Sequence, residues 1–251
     1  MNIKMVVTDL DGTFLRDDKS ISDRTLAAFD RLREKGIKTV YATGRGLSAV
    51  EMTSKKQFDG AVRNNGAIAF IGDELIYKRL LSADSVRDML IACDKAGVRI
   101  VAECGDTHYS NFNIEELFPW PMNYEIADFT EHSDDTEKLW AVVDTPNVID
   151  VIKQNLNDVL YLYETRDGFA LVMHNDATKS KAVAALAERW NIDKSEIVAF
   201  GDDANDTNLL EYCGIGVAMG NAIDGVKAVA DQICDTNEND GIAKWLEENL
   251  L

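Results

Sequence analysis

Ile3-Lys4-Met5-Val6-Val7-Thr8-Asp9-Leu10-Asp11-Gly12-Thr13 opens the chain's first regular element and its first chemistry. Residues 3–8 are apolar or β-branched except for Lys4, the composition of a strand buried on both faces. Two carboxylates and a glycine follow at once. In open α/β sheets ligands bind beyond the carboxyl ends of the strands. Asp9 is therefore expected at the strand end and Asp11 in the loop. Gly12 lets the backbone approach a ligand closely. Two carboxylates at this spacing can divide the work, one attacking as a nucleophile and the other handling protons. An ordinary strand-to-loop exit also uses Asp and Gly. A calcium loop would need a downstream glutamate that is missing here.

The same arrangement recurs twice. Ile37 to Ala42 reads as a second buried strand and runs into Thr43-Gly44-Arg45-Gly46. A hydroxyl, loop N–H groups and a guanidinium at a strand end can cradle phosphate oxygens; a glycine turn beside a solvated arginine is the plainer reading. Ile197 to Phe200 reads as a third buried strand and runs into Gly201-Asp202-Asp203-Ala204-Asn205-Asp206. An Asp or Asn helix cap explains one or two of these acids. A cluster this dense points to a hard cation on oxygen ligands, and Mg2+ suits a carboxylate site that also takes phosphate.

Between these strands, Ser22 is placed to cap a helix, with Ile21 and Leu26 as a hydrophobic staple. Leu26, Phe29 and Leu32 mark its buried face, and Gly36 ends it. A helix is expected over Leu47–Lys55, a strand from Ala61-Val62, and a hairpin of Ala67–Phe70 with Glu74–Lys78 turning at Gly72-Asp73. From Thr178 a helix to Trp190 precedes the third strand. Then come a helix over Thr207–Tyr212, a strand over Ile215–Met219, a helix over Ile223–Ala230, a short strand at Gln232–Cys234 and a last helix from Ile242 to Asn249. Strands alternating with helices imply a parallel sheet flanked by helices.

The middle of the chain differs. A helix capped by Ser82 and closed by Gly97 leads to a strand over Val98–Glu103. An irregular aromatic segment with Tyr109, Phe112, Phe118, Trp120 and Tyr124 follows. Lys138–Val143, Asn147–Leu156, Leu160–Glu164 and Phe169–His174 then read strand, helix, strand, strand. This is a separate α+β module inserted into the alternating part.

Composition narrows the function. The chain has 251 residues, 44 acidic against 26 basic, a formal net charge of −18. Such a surface repels phosphate backbones and anionic lipid, so nucleic-acid and membrane partners are not expected. No apolar run approaches the roughly 18 residues of a membrane span, and the start lacks a signal-peptide core. Cys93, Cys104, Cys213 and Cys234 form no C-x-x-C pair and read as apolar residues in a reducing compartment, so a cytoplasmic protein is expected.

Taken in order, these loops resemble the haloacid dehalogenase superfamily of phosphotransferases: Asp-x-Asp-Gly-Thr, a strand-end Thr, a Lys, then Gly-Asp-Asp-x-Asn-Asp. Asp9–Leu15, Ala42–Arg45, Asn64–Ala67 and Gly216–Ala222 further resemble its Cof-type sugar-phosphatase branch, which carries a type-C2 cap. The resemblance implies a Rossmann-like parallel-sheet α/β core over residues 1–81 and 175–251, with an inserted α+β cap over 82–174 as substrate-selecting lid. It implies a Mg2+-dependent phosphatase for small phosphorylated metabolites, sugar phosphates foremost, acting as a monomer or small homo-oligomer. Asp9 would be the nucleophile and form an aspartyl-phosphate; Asp11 would be the general acid and base. Thr43, Gly44, Lys179 and Asn205 would bind phosphate, with Arg45 and Asn65 as possible substrate contacts. The metal would sit on Asp9, the Asp11 carbonyl and Asp202, with Asp206 as a ligand or just behind one. Lys179 is preferred to Lys181 because its register to the following helix fits. His108, Tyr109, Asn111, Trp120 and Arg166 could line the cap, although aromatics usually pack and arginines usually lie along the surface. His174 reads as a hinge or a satisfied core histidine. A phosphomutase and a non-catalytic phosphate-ligand binder are the alternatives. A receiver domain would be far shorter.

Overall fold

A computed structural model describes residues 2–52, 57–118 and 122–251. The chain divides into two compact units, Met1–Lys78 with Thr178–Leu251, and Arg79–Ala177.

The first unit starts with β1 (Met5–Thr8), α1 (Asp23–Glu34), β2 (Lys38–Ala42), α2 (Ser48–Met52), β3 (Gly60–Arg63), β4 (Ile68–Ile71) and β5 (Glu74–Lys78). The Ser22 hydroxyl accepts from the Thr25 N–H and so caps α1. The buried face of α1 is Thr25, Ala28, Phe29 and Leu32. Leu26, expected on that face, is only half-buried, because the face is set one position round the helix. The expected helix to Lys55 is described only through Met52.

The inserted unit holds α3 (Ala83–Lys95), β6 (Ile100–Cys104), β7 (Thr107–Ser110), β8 (Tyr124–Ile126), β9 (Lys138–Val142), α4 (Asn147–Gln154), β10 (Leu160–Glu164) and β11 (Phe169–His174). Its sheet order is β10-β11-β9-β6-β7-β8. Met89, Leu90 and Cys93 of α3 and Val148 and Ile152 of α4 pack with Ala102, Leu139 and Ala141. Val101 and Trp140, alternating with these along the strands, pack instead with Phe112, Phe118 and Phe169. The segment expected to be irregular thus contributes two strands, β7 and β8. Their sequences, Thr-His-Tyr-Ser and Tyr-Glu-Ile, are short and mostly polar and carry no period-2 apolar signal. Trp120 lies outside the described residues.

The chain returns through α5 (Lys179–Trp190), β12 (Ile197–Gly201), α6 (Thr207–Tyr212), β13 (Ile215–Ala218), α7 (Asp224–Val229), β14 (Gln232–Ile233) and α8 (Gly241–Asn249). The first unit's sheet runs β14-β13-β12-β1-β2-β3-β4-β5. It is parallel from β14 to β3, and the hairpin β4–β5 adds an antiparallel edge. β1 is buried along its whole length at the centre of this sheet. Thr8 pairs with Tyr41 on one side and Phe200 on the other. β12, β1 and β2 therefore end level, and the loops that begin at Asp202, Asp9 and Thr43 leave one sheet edge together.

Candidate active site

Asp9 follows β1 directly and is 6 % exposed. The turn after it is tight: the Leu15 N–H reaches the Leu10 carbonyl at 2.8 Å, and Gly12 takes φ +71°. A Cβ on Gly12 would lie 2.5 Å from Asp202 Oδ2, so only glycine lets the two strand-end loops meet. Thr13 closes the junction, its hydroxyl donating to Asp202 Oδ1 at 2.7 Å.

Lys179, the first residue of α5, is fully buried. Its Nζ donates to Asp9 Oδ1 and to Asp206 Oδ1, each at 2.6 Å. Lys181 is exposed. Asp206 Oδ2 accepts the backbone N–H groups of Asp202 and Asp203 at 3.0 and 3.1 Å. Both Asp206 oxygens are thus engaged, one bracing the ammonium and the other bracing its own loop. Asp203 spends its carboxylate on the Ala204 N–H, the capping role its position suggested.

One oxygen from each of Asp9, Asp202 and Asp206 lies within 4.8 Å of the others. Three carboxylates share one ammonium there. Burial, opposed by Lys179 and reinforced by Asp206 and Asp202, raises Asp9 well above the usual carboxylate range. Burial and then Asp206 push Asp202 up to about 6, against the Thr13 hydrogen bond. Burial alone would push the Lys179 ammonium down, but Asp206 and Asp9 outweigh it and hold it above an ordinary lysine. The excess negative charge and the all-oxygen donor set fit a hard divalent cation.

Asp11 points elsewhere. Its Oδ1 accepts from Lys19 Nζ and from Arg45 Nη2, both at 2.8 Å, and its Oδ2 accepts from Arg45 Nε. Burial works to raise this carboxyl, yet the bonds from Arg45 and Lys19 together hold it below the usual range. Arg45 comes from the loop after β2, so two strand-end loops meet here as well.

Thr43 is 1 % exposed and its hydroxyl accepts the Arg45 N–H at 3.2 Å. Its carbonyl accepts the Asn65 N–H at 2.9 Å. Asn205 Nδ2 donates to Asn65 Oδ1 at 2.9 Å, and a Cβ on Gly44 would stand 3.1 Å from that same oxygen. Gly44, Asn65 and Asn205 therefore form one polar group. Asn64, Asn65 and Gly66 are all left-handed, at φ +49°, +54° and +104°, which explains why only Asn and Gly occupy this turn. A Cβ on Gly66 would lie 2.2 Å from the Thr178 carbonyl, so this turn abuts the start of α5 that carries Lys179.

Several contributors carried no distinct sequence signal. Lys19 was one lysine among many. Asn208 Oδ1 takes the Ser180 N–H at 3.1 Å and so fixes the first turn of α5. Asn221 Nδ2 donates to the Gly12 carbonyl at 2.7 Å, while its Oδ1 takes the Asn237 N–H at 3.1 Å. Asn221 does lie within Gly216–Ala222, a stretch that resembles the Cof-type branch but carries no chemistry-bearing pattern of its own.

In the inserted unit Asn111 is a structural clamp, accepting the Ile100 N–H and donating to Asp94 and the Val98 carbonyl. His108 Nδ1 stands 3.2 Å from the Asn123 carbonyl. His174 Nδ1 accepts the Asp176 N–H at 2.9 Å, which makes it a satisfied histidine. All four cysteines are free, and burial pushes Cys93 up to about 12 and Cys104 to about 11. Among the described residues no helix is long and apolar enough to cross a membrane.

A family model described as haloacid dehalogenase-like hydrolase matches residues 6–246. The 5-amino-6-(5-phospho-D-ribitylamino)uracil phosphatase YitU of Bacillus subtilis is 28% identical over 97% of this chain and 96% of its own length. A putative phosphatase of Haemophilus influenzae is 30% identical over 100% of this chain and 99% of its own. Among solved structures, a Thermotoga maritima protein superposes with a TM-score of 0.87 at 28% identity, covering 99% of this chain and 98% of the other. The subclass IIB sugar phosphatase BT4131 superposes at 0.84 with 26% identity, covering 98% of each chain. Matched end to end by phosphatases and by one family pattern, the chain belongs to the haloacid dehalogenase-like hydrolases, in their Cof-type branch, and is a phosphoric monoester hydrolase.

Proposed function

We propose that the chain is a Mg2+-dependent phosphatase of small phosphorylated metabolites, sugar phosphates foremost, working through an aspartyl-phosphate on Asp9. The observation that carries this is the trio Asp9, Asp202 and Asp206 around buried Lys179, at a sheet edge shared with Thr43. Relatives that act on phosphate esters of sugar-like or ribityl compounds support the substrate class.

An Asp9 oxygen attacks phosphorus, the bond to the leaving oxygen breaks, and Asp11 delivers its proton to that oxygen. Water then attacks the phosphoryl group, its proton passes to Asp11, and the bond to Asp9 breaks to release phosphate. Lys179, fixed by two carboxylates, offsets the charge of the transferring group. Thr43, Gly44 and Asn205 are assigned to its oxygens, with Arg45 and Asn65 as substrate contacts. As Arg45 and Lys19 hold it, Asp11 is the ionised base that the second step needs; the first step requires it protonated. Asp9, the Asp11 carbonyl and Asp202 would hold Mg2+, and Asp206, with both oxygens engaged, would stand behind them. When bound, the metal supplies the positive charge that lets a carboxylate approach a phosphate dianion.

The inserted unit is assigned the substrate-selecting role of a cap. The free cysteines suit a reducing, cytoplasmic setting. Hydrolysis of nitrophenyl phosphate with Mg2+, abolished in Asp9→Asn, is the expected result; an active Asp9→Asn protein would overturn the assignment.

A further inference from the structure

Asp11 is held by two cations, and only one of them belongs to a loop that the sequence marks as functional. The other, Lys19, lies in the turn after the Asp9 loop. The Lys19 N–H bonds the Arg16 carbonyl, and the Arg16 N–H bonds the Ser20 carbonyl, both at 2.9 Å. Within this closed turn Lys19 takes φ +67°. Glycine is the residue for that conformation, and any side chain there is strained. Strain of this kind persists where a site needs the residue.

What Lys19 gives in return is not burial, because its side chain is 45 % exposed. Nor is it fold stability, because an ion pair this exposed contributes little. The remaining consequence is geometric. Lys19 Nζ and Arg45 Nη2 converge on Asp11 Oδ1 from separate segments, and Arg45 Nε takes Oδ2. A carboxylate held from two sides by separate segments keeps one orientation.

We propose that Lys19 is a positioning residue for proton transfer, tolerated in a strained turn because its ammonium aims the Asp11 carboxyl. The inference rests on the phosphatase reading above. Its signature is selectivity between leaving groups. An alkyl phosphate needs a proton on the departing oxygen, whereas nitrophenolate leaves without one. The ratio kcat/KM reports the first transfer and so registers that difference.

The test compares the wild type with Lys19→Gly, Lys19→Met and Lys19→Arg on an alkyl phosphate and on nitrophenyl phosphate. Lys19→Gly relieves the turn, so its Tm should stay level or rise. Its kcat/KM should fall about tenfold on the alkyl ester and less than about twofold on the aryl ester. Lys19→Met should show the same split, and Lys19→Arg should recover most of the loss. Equal falls on both esters would make Lys19 a phosphate contact, and no fall would make it a bystander; either overturns the proposal. A wild type inert to both esters would overturn the phosphatase reading itself, while an active wild type with unchanged selectivity in Lys19→Gly would overturn this inference alone.

Discussion

Asp202 is where the site's electrostatics can be read without any substrate. Unfolded, it titrates near 3.8, and folded, near 6. The folded state thus binds this proton better. Ionised Asp202 lowers stability above pH 6, and the penalty shrinks as pH falls through 6 and is gone below about 4. Asp202→Asn removes the penalty. In chelator at about pH 7.5 it should stabilise the protein by up to about 2 kcal/mol, and near pH 4 it should change little. Mg2+ should reverse the order, because it binds only the folded carboxylates. At a hundred times its Kd it raises wild-type stability by about 2.7 kcal/mol, and Asp202→Asn should lose most of that gain. Thermal melts across pH, with and without Mg2+, check both; a pH-independent effect would contradict the charge crowding described here.

At the scale of elements, the site depends on backbone fits that only glycine allows. Gly66 and Gly36 make the contrast. Both are left-handed, but a Cβ at Gly36 meets nothing within 4 Å, whereas at Gly66 it meets the Thr178 carbonyl at 2.2 Å. Gly36→Ala should cost about 1 kcal/mol and leave activity intact. Gly66→Ala should cost about 3 kcal/mol or more and also depress turnover, because the displaced neighbour is the start of α5. Denaturant melts with steady-state assays separate the two; equal effects would mean that the turn at Asn64–Gly66 does not set α5. The elements also show what was legible in advance. Buried strands such as β1 and β12 are continuous apolar runs ending in carboxylates, so both strand and site were readable. β7 and β8 were not, because a half-exposed strand of three or four polar residues owes its existence to its neighbours in the sheet. Asp9, Asp11 and Asp202 stood out through position after a strand, whereas Lys179, by itself an ordinary lysine at a helix start, was reached only through the family resemblance. Lys19, Asn208 and Asn221 did not stand out, because they act through hydrogen bonds to residues distant along the chain or across a turn, which no local pattern encodes.

For the whole molecule, the division into two units has a physical consequence. The inserted unit carries its own apolar core from both helices and the sheet. Residues 79–177 alone should therefore fold and melt cooperatively, as a domain of about 100 residues can; a non-cooperative melt by circular dichroism would show that the insertion depends on the rest of the chain. The net charge of −18 likewise takes on structure. Most of it is a solvated surface, but three acids are drawn into one buried cluster, where burial and neighbouring carboxylates raise Asp9 and Asp202 toward neutrality. Asp9, one of the three, is the nucleophile assigned here, and the covalent step on it is the central claim. The direct measurement is to quench the wild type with Mg2+ and a labelled phosphate ester within one turnover, reduce with borohydride, and map the modified residue. The account predicts labelled protein after quenching and a homoserine at position 9 after reduction. Phosphate released with no labelled protein, or label at any other residue, would contradict it.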